Sequence, residues 1–260
     1  MIRESWAFIG FLLGMVLCLS LTMCDSAFPF TEQQVLDKAQ AYLPMVFETF
    51  TEQWANAPLK HYEGGKIEQE TCASLSKCWN PKAEFETSRE YGFGFGMITI
   101  TERFNNFEEA KKYEALKDWK WDDRYNPKYQ TTYSILEDRK NFTKYRPYSY
   151  DDKEAWACAL VVYNAGAGTV NQRRALCKLT EDCDSTLWFG GLNSVHRSYE
   201  NEILYGRPKW KLRNTYPHNV INIRADKYSS FFKKESNKAT NEMAYWQKIV
   251  EFFRNLIRRV

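Results

Sequence analysis

The sequence predicts a mainly α-helical fold, a single domain built around a cleft. Three observations carry that expectation. Asp152–Tyr163 places Ala155, Ala159, Leu160 and Val162 at helical spacing. Asn237–Arg259 sets Trp246, Ile249, Val250, Phe253, Leu256 and Ile257 in one apolar stripe. No internal repeat or low-complexity linker divides the 260 residues, a length that one core can largely fill.

The elements follow in order. Thr31 through Gln34 has the form of a capping box, and Val35, Leu36 and Ala39 continue it as a helix. Pro44 breaks that helix; a second, aromatic-rich one runs from about Met45 to Trp54 and stops before Pro58. Gly64-Gly65 reads as a turn, and Lys66–Thr71 as a short helical entry into Cys72. Residues 79–101 mix loop and extended character. Phe104–Trp121 reads as a charged surface helix, and another begins within Gln130–Leu136. Residues 185–235 are mixed and aromatic. The C-terminal helix is expected to pack on the body of the protein. Its basic end, Arg254, Arg258 and Arg259, makes docking on an anionic membrane surface the competing expectation.

Composition excludes some classes of function. Lys and Arg number 36 against 33 Asp and Glu, a net charge of +3, which is far from the basic excess of a dedicated nucleic-acid binder. Hydrophobic residues at 44% argue against disorder. Aromatic residues reach 16%, which suits a packed core and equally a groove that holds sugar rings.

Ala7–Cys24 carries no charge, follows Arg3, and precedes the small residues Ser26 and Ala27. This is the pattern of a secretory signal cleaved near residues 24–27, with an uncleaved membrane anchor or lipidation at Cys24 as alternatives. Each exports the chain, and an anchor would give membrane association through the N-terminal segment. The cysteines agree. Cys72/Cys78 and Cys177/Cys183 are close pairs that an oxidising compartment favours bridging, and Cys158 is left as a buried thiol in the apolar run WACALVVY. No C-x-x-C occurs and His61, His196 and His218 are scattered, so neither a metal site nor a cofactor is expected.

Three segments stand out together: Ile67–Cys72, which includes Glu70; Ser88–Thr99, with Gly92, Gly94 and Gly96; and Tyr163–Val170, which closes the helix from Asp152. The alternating glycines lack the context and spacing of a nucleotide loop. Gly alternating with Phe describes instead a backbone that approaches something closely while planting aromatics beside it.

In order and spacing these segments resemble the lytic transglycosylase catalytic domain of the soluble lytic transglycosylase and goose-type-lysozyme-like group. Gln69-Glu70-Thr71 takes the place of the family's Glu-Ser. Ser88 through Gly94 takes its Ser-to-Gly element, with Phe95, Gly96 and Met97 over Leu, Met and Gln. Val161–Val170 is a near-complete match to its Tyr-Asn-Ala-Gly element, and Arg213–Val220, which includes Tyr216, resembles its final segment. The match covers about residues 62–228. It implies a division into a signal or anchor (1–27), N-terminal helices packing on the catalytic domain (28–61), a lysozyme-like catalytic domain (62–228) and a C-terminal amphipathic helix (229–260). Departures are the longer Glu70-to-Ser88 interval, which holds Cys72 and Cys78, and Met97 in place of Gln. Glu84, Glu86 and Glu90 crowd the second motif, so Glu84 and Glu90 compete with Glu70 as the catalytic acid.

The resemblance implies an enzyme that cleaves the MurNAc–GlcNAc β-1,4 bond of peptidoglycan strands. Glu70 would serve as acid and then base, leaving a 1,6-anhydro-muramyl end, with the protein in the periplasm or on the outer face of the inner membrane of a bacterium. It assigns Ser88 a place near the acid and Tyr163 a place in the cleft beside Glu70. It has Asn164 hold the loop after the helix, and adds Gly94, Phe95, Met97 and Tyr216 to the substrate-binding set. A raised carboxyl pKa requires apolar walls, for which Ile67, Phe93, Phe95 and Tyr163 are the candidates. A hydrolase of the same fold and a non-catalytic wall-binding or assembly protein are the alternatives.

Overall fold

A computed structural model describes residues 30–257. The signal or anchor segment, Arg258 and Arg259 lie outside the described residues. The described chain is mainly helical, as expected. Helices α1 (Glu32–Gln40) and α2 (Leu43–Gln53) lead into α3 (His61–Thr71). A three-stranded antiparallel sheet follows, β1 (Glu84–Glu86), β2 (Glu90–Phe93) and β3 (Ile98–Thr101), in the order β1-β2-β3 with Glu84 opposite Phe93 and Phe93 opposite Ile98. Then come α4 (Asn106–Ala110), α5 (Pro127–Tyr145), α6 (Asp152–Ala165) and α7 (Ala167–Cys177). A small hairpin, β4 (Ile203–Leu204) with β5 (Arg207–Pro208), precedes α8 (Lys209–His218), a π-helical turn (Asn219–Arg224) and α9 (Asp226–Ile257).

Local chemistry accounts for the first elements. The Thr31 hydroxyl accepts from the Gln34 amide and the Gln34 side chain accepts from the Thr31 amide, closing the expected capping box. Pro44 falls in the first turn of α2, where its missing N–H costs nothing. Trp54 stacks on Trp156 at 5.5 Å and meets Phe142 at 5.2 Å, so α2, α5 and α6 share one core, and the Trp156 indole donates to the Pro58 carbonyl at 3.0 Å. A second cluster, with Phe93, Ile98, Phe107 and Trp119, fills the space beside the sheet.

Two expectations are corrected here. Gly64 and Gly65 are not a turn but the second turn of α3. A Cβ at Gly64 would lie 2.7 Å from the Tyr228 ring, and one at Gly65 would lie 2.7 Å from the Val220 carbonyl oxygen. The glycines let α3 press directly on the π turn and the start of α9. Phe104–Trp121 is not one helix. Only Asn106–Ala110 is α-helical, followed by short 3₁₀ turns. Phe107 and Leu116 are both buried, yet nine positions apart they would point to opposite sides of a straight helix.

The C-terminal helix also differs. It begins at Asp226, and its first turns supply the packing through Tyr228 and Phe232, both buried. Beyond them Met243 and Trp246 are 62% and 63% exposed, and Val250 is exposed as well, so this stretch of the stripe does not pack on the body. Phe253, Leu256 and Ile257 are outside the residues whose side chains are described. Truncation after Ser236 is therefore expected to leave the thermal midpoint within about 2 °C of the full chain, since surface changes stay within roughly 0.5 kcal/mol. A drop of several degrees in a melting curve would show that the helix is held after all.

Cys72–Cys78 and Cys177–Cys183 are disulfides and Cys158 is a buried thiol, as expected from an oxidising compartment. Burial pushes the Cys158 thiol up to about 12, which makes it inert. No helix among the described residues is long and apolar enough to cross a membrane.

Candidate active site

Glu70 sits in the last turn of α3, and three features fix that helix end. The Cys72 amide closes onto the Glu68 carbonyl at 2.9 Å. Thr71 Oγ1 donates to the Ile67 carbonyl at 2.6 Å and accepts from the Trp79 amide at 3.0 Å. The Cys72–Cys78 bridge then holds the following loop against the helix.

The helix carries other acids, and each has a different fate. Glu68 faces away, held by Tyr228 (2.7 Å) and Lys227 (3.0 Å). Glu63 is fully buried and accepts from Ser134 at 2.6 Å. Glu70 alone of the three borders a cavity of about 570 Å³, a volume within the usual range of small-molecule sites.

Tyr163, Asn164, Met97, Gly96 and Tyr216 border the same cavity, so the structure brings most of the expected residues together. The Tyr216 hydroxyl donates to Glu70 Oε1. The Tyr163 hydroxyl donates to the Gly96 carbonyl and occupies the space where a side chain at residue 96 would begin. Gly94, at φ +76°, is crowded in the same way by the buried Gln130 side chain, which accepts from the Phe95 amide at 3.0 Å and donates to the Pro81 and Arg124 carbonyls. The close backbone approach anticipated from alternating Gly and Phe is present at both glycines.

Other placements differ from expectation. Ser88 lies exposed in the β1–β2 turn and does not border the cavity. Phe95 is fully buried against Tyr42 and Trp79, and neither it nor Gly94 borders the cavity. Asn164 is exposed at the cavity and makes no side-chain hydrogen bond with the described residues. The loop after α6 is held by Gly166, at φ +80°, whose amide bonds the Val162 carbonyl at 2.8 Å. Of the expected apolar walls only Tyr163 takes part; Ile67 and Phe93 are core residues. Phe85, Leu204, Tyr205 and Leu212 supply apolar wall instead. Three of these four come from residues 185–235, where no periodic pattern marks them.

Burial sets the chemistry of Glu70. Loss of hydration pushes its carboxyl up to about 7, opposed by the Tyr216 hydrogen bond and the Lys66 charge and assisted by Glu63. Glu84, which borders the same cavity, is pulled the other way: the Tyr125 and Tyr91 hydroxyls donate to it and hold it below the usual carboxylate range. Glu90 accepts from Tyr205 where the two hairpins meet. A neutral acid and an ionised carboxylate thus share one cavity near neutral pH. Among the described residues no cluster of His, Cys, Asp and Glu is arranged to hold a metal ion.

A raised carboxyl pKa is also a statement about stability. The folded state holds the Glu70 proton more tightly than the unfolded chain does. Stability therefore falls as pH rises from about 4.5 to about 7. Glu70→Gln removes that penalty. The variant is expected to match the wild type near pH 4 and to melt higher at pH 8, by an amount of order 2–3 kcal/mol at most. Parallel melting curves at the two pH values check this; an equal difference at both would mean that the carboxyl titrates normally.

No protein-family model matches the chain, and no curated protein matches it either.

Proposed function

We propose that the protein is a peptidoglycan-cleaving lytic transglycosylase of lysozyme-like fold, with Glu70 as its acid and base. One observation carries this most: Glu70 ends α3 at the cavity, where burial pushes its carboxyl up to about 7, so that much of it keeps its proton near neutral pH. A carboxyl in that state can protonate a glycosidic oxygen as the bond to the anomeric carbon breaks. The carboxylate so formed accepts the Tyr216 hydrogen bond and lies near the Lys66 charge, both of which favour it. It then takes the proton of the sugar's own 6-hydroxyl as that oxygen closes on the anomeric carbon, which regenerates the acid. Tyr163, Met97 and Asn164 line the sugar path, and Phe85 and Tyr205 offer exposed aromatic faces where the two hairpins touch.

A lysozyme-type hydrolase is the second reading, favoured by Glu84. Its carboxylate is ionised on the same cavity, as a base activating water would need to be. A non-catalytic wall-binding protein is the third. Incubating the purified chain with insoluble cell-wall glycan separates the third from the others. Soluble fragments are expected. Sedimentation with the glycan without any release would leave only binding.

A further inference from the structure

The face of α3 that ends in Glu70 also carries Lys66 and Glu63, four and seven residues earlier and in line with it. Lys66 is fully buried. Its ammonium lies 2.7 Å from Asp138 Oδ2 on α5, 3.5 Å from Glu63 Oε2 and 3.9 Å from the centre of the Tyr163 ring. Glu63 and Asp138 are fully buried too, and Glu63 Oε2 and Asp138 Oδ1 have no hydrogen-bond partner. Two carboxyls around one ammonium is an expensive arrangement in a dry core, where apolar side chains of similar size are often as stable or more so. Burial raises the Asp138 carboxyl well above its usual range, opposed by the Lys66 charge and assisted by Glu63. None of the three groups borders the cavity, yet the cluster lies directly behind it: the Tyr163 ring that Lys66 touches lines the cavity, and the Tyr163 hydroxyl grips the Gly96 carbonyl.

We propose that Lys66 is a positioning residue: clamped by Glu63 and Asp138, its ammonium fixes the Tyr163 ring and through it the Gly96 turn, and places a positive charge behind the Glu70 carboxyl. This rests on Glu70 being the acid. The ionisable groups that act on Glu70 are Lys66 and Glu63 from its own helix and Tyr216 from α8, with Tyr163 of α6 beside it; Asp138 of α5 faces Lys66. Lys66 favours the ionised form of Glu70, and Glu63 favours the protonated form. The cluster thus keeps the acid from becoming too weak to surrender its proton.

Two substitutions in the full chain have opposite expected signs, which a merely structural role would not produce. The Glu70 carboxyl is titrated by NMR with isotope-labelled glutamate, its signal assigned as the one lost in Glu70→Gln. Lys66→Met is expected to move the midpoint up by about one unit and Glu63→Gln to move it down. The alkaline limb of kcat/KM on glycan should shift in the same directions. Should Lys66→Met fail to fold by circular dichroism, Lys66→Met/Asp138→Asn also removes the buried carboxyl that would be left facing the lost ammonium, and is expected to show the same upward shift. Folded variants whose midpoints stay put, or move in the same direction, overturn the proposal. The titration needs no turnover, so a protein that cleaves no glycan yet shows the opposed shifts would sink the proposed function and leave the clamp standing.

Discussion

Glu70→Gln is expected to lower the rate of glycan release by about 10²–10⁴-fold while the protein stays folded, because the amide keeps the shape and loses the proton. Its oxygen can still accept from Tyr216, so the cavity wall should not move. Glu84→Gln and Glu90→Gln are the controls. Glu84 is held ionised by two tyrosines and has no proton to give near neutral pH. Glu90 sits with Tyr205 at the meeting of the hairpins. Clearing of cell-wall suspensions measures all three variants side by side. If Glu70→Gln cleared like the wild type while Glu84→Gln did not, the acid would be Glu84. Loss in both Glu70→Gln and Glu84→Gln would favour the hydrolase, which needs two carboxyls.

The second large effect belongs to Gly65→Ala. The added methyl would stand 2.7 Å from the Val220 carbonyl and 3.0 Å from the Ala225 amide nitrogen. Both are backbone atoms that cannot rotate away, so α3 or the π turn must shift. Overpacking typically costs 1–3 kcal/mol, and a clash with backbone belongs at about 3. For a domain of this size that is a fall of roughly 6–12 °C in the thermal midpoint. Glycan release should fall as well, since α3 carries Glu70 and the π turn continues the helix that carries Tyr216. Differential scanning calorimetry reads the first effect. An unchanged midpoint would mean that the two segments are not in contact.

Gly64-Gly65 also shows where the sequence stops being legible. Two adjacent glycines normally mark a turn. What keeps them helical is Tyr228 and Val220, more than 150 residues away, and no local pattern announces that contact. The same holds for Lys66, Glu63 and Asp138. Charged residues are ordinarily solvated, and only the tertiary arrangement of α3, α5 and α6 reveals that these three are buried together. Gln130, which organises the glycine turn, gave no signal either.

The legible parts were those with a local physical cause. Thr31 and Gln34 cap each other within one turn. The apolar spacing of residues 152–163 marks a helix that is indeed buried. Two cysteine pairs close in sequence are close in space. At the site, the family resemblance rather than any local spacing grouped Glu70, Met97, Tyr163, Asn164 and Tyr216, and all five border the same cavity. Ser88 and Phe95 could not be placed correctly. None of residues 86–90 is buried and all of residues 92–96 are, so no local alternation marks which of them faces the cavity.

The most direct test is the mass of the glycan ends released by the wild-type protein. Attack by the sugar's own 6-hydroxyl consumes no water, so the expected products end in 1,6-anhydro-muramyl residues, each one water lighter than a hydrolytic product. Their appearance should depend on Glu70. Fragments ending in reducing sugars, with no anhydro ends, would contradict the transglycosylase and establish the hydrolase in its place.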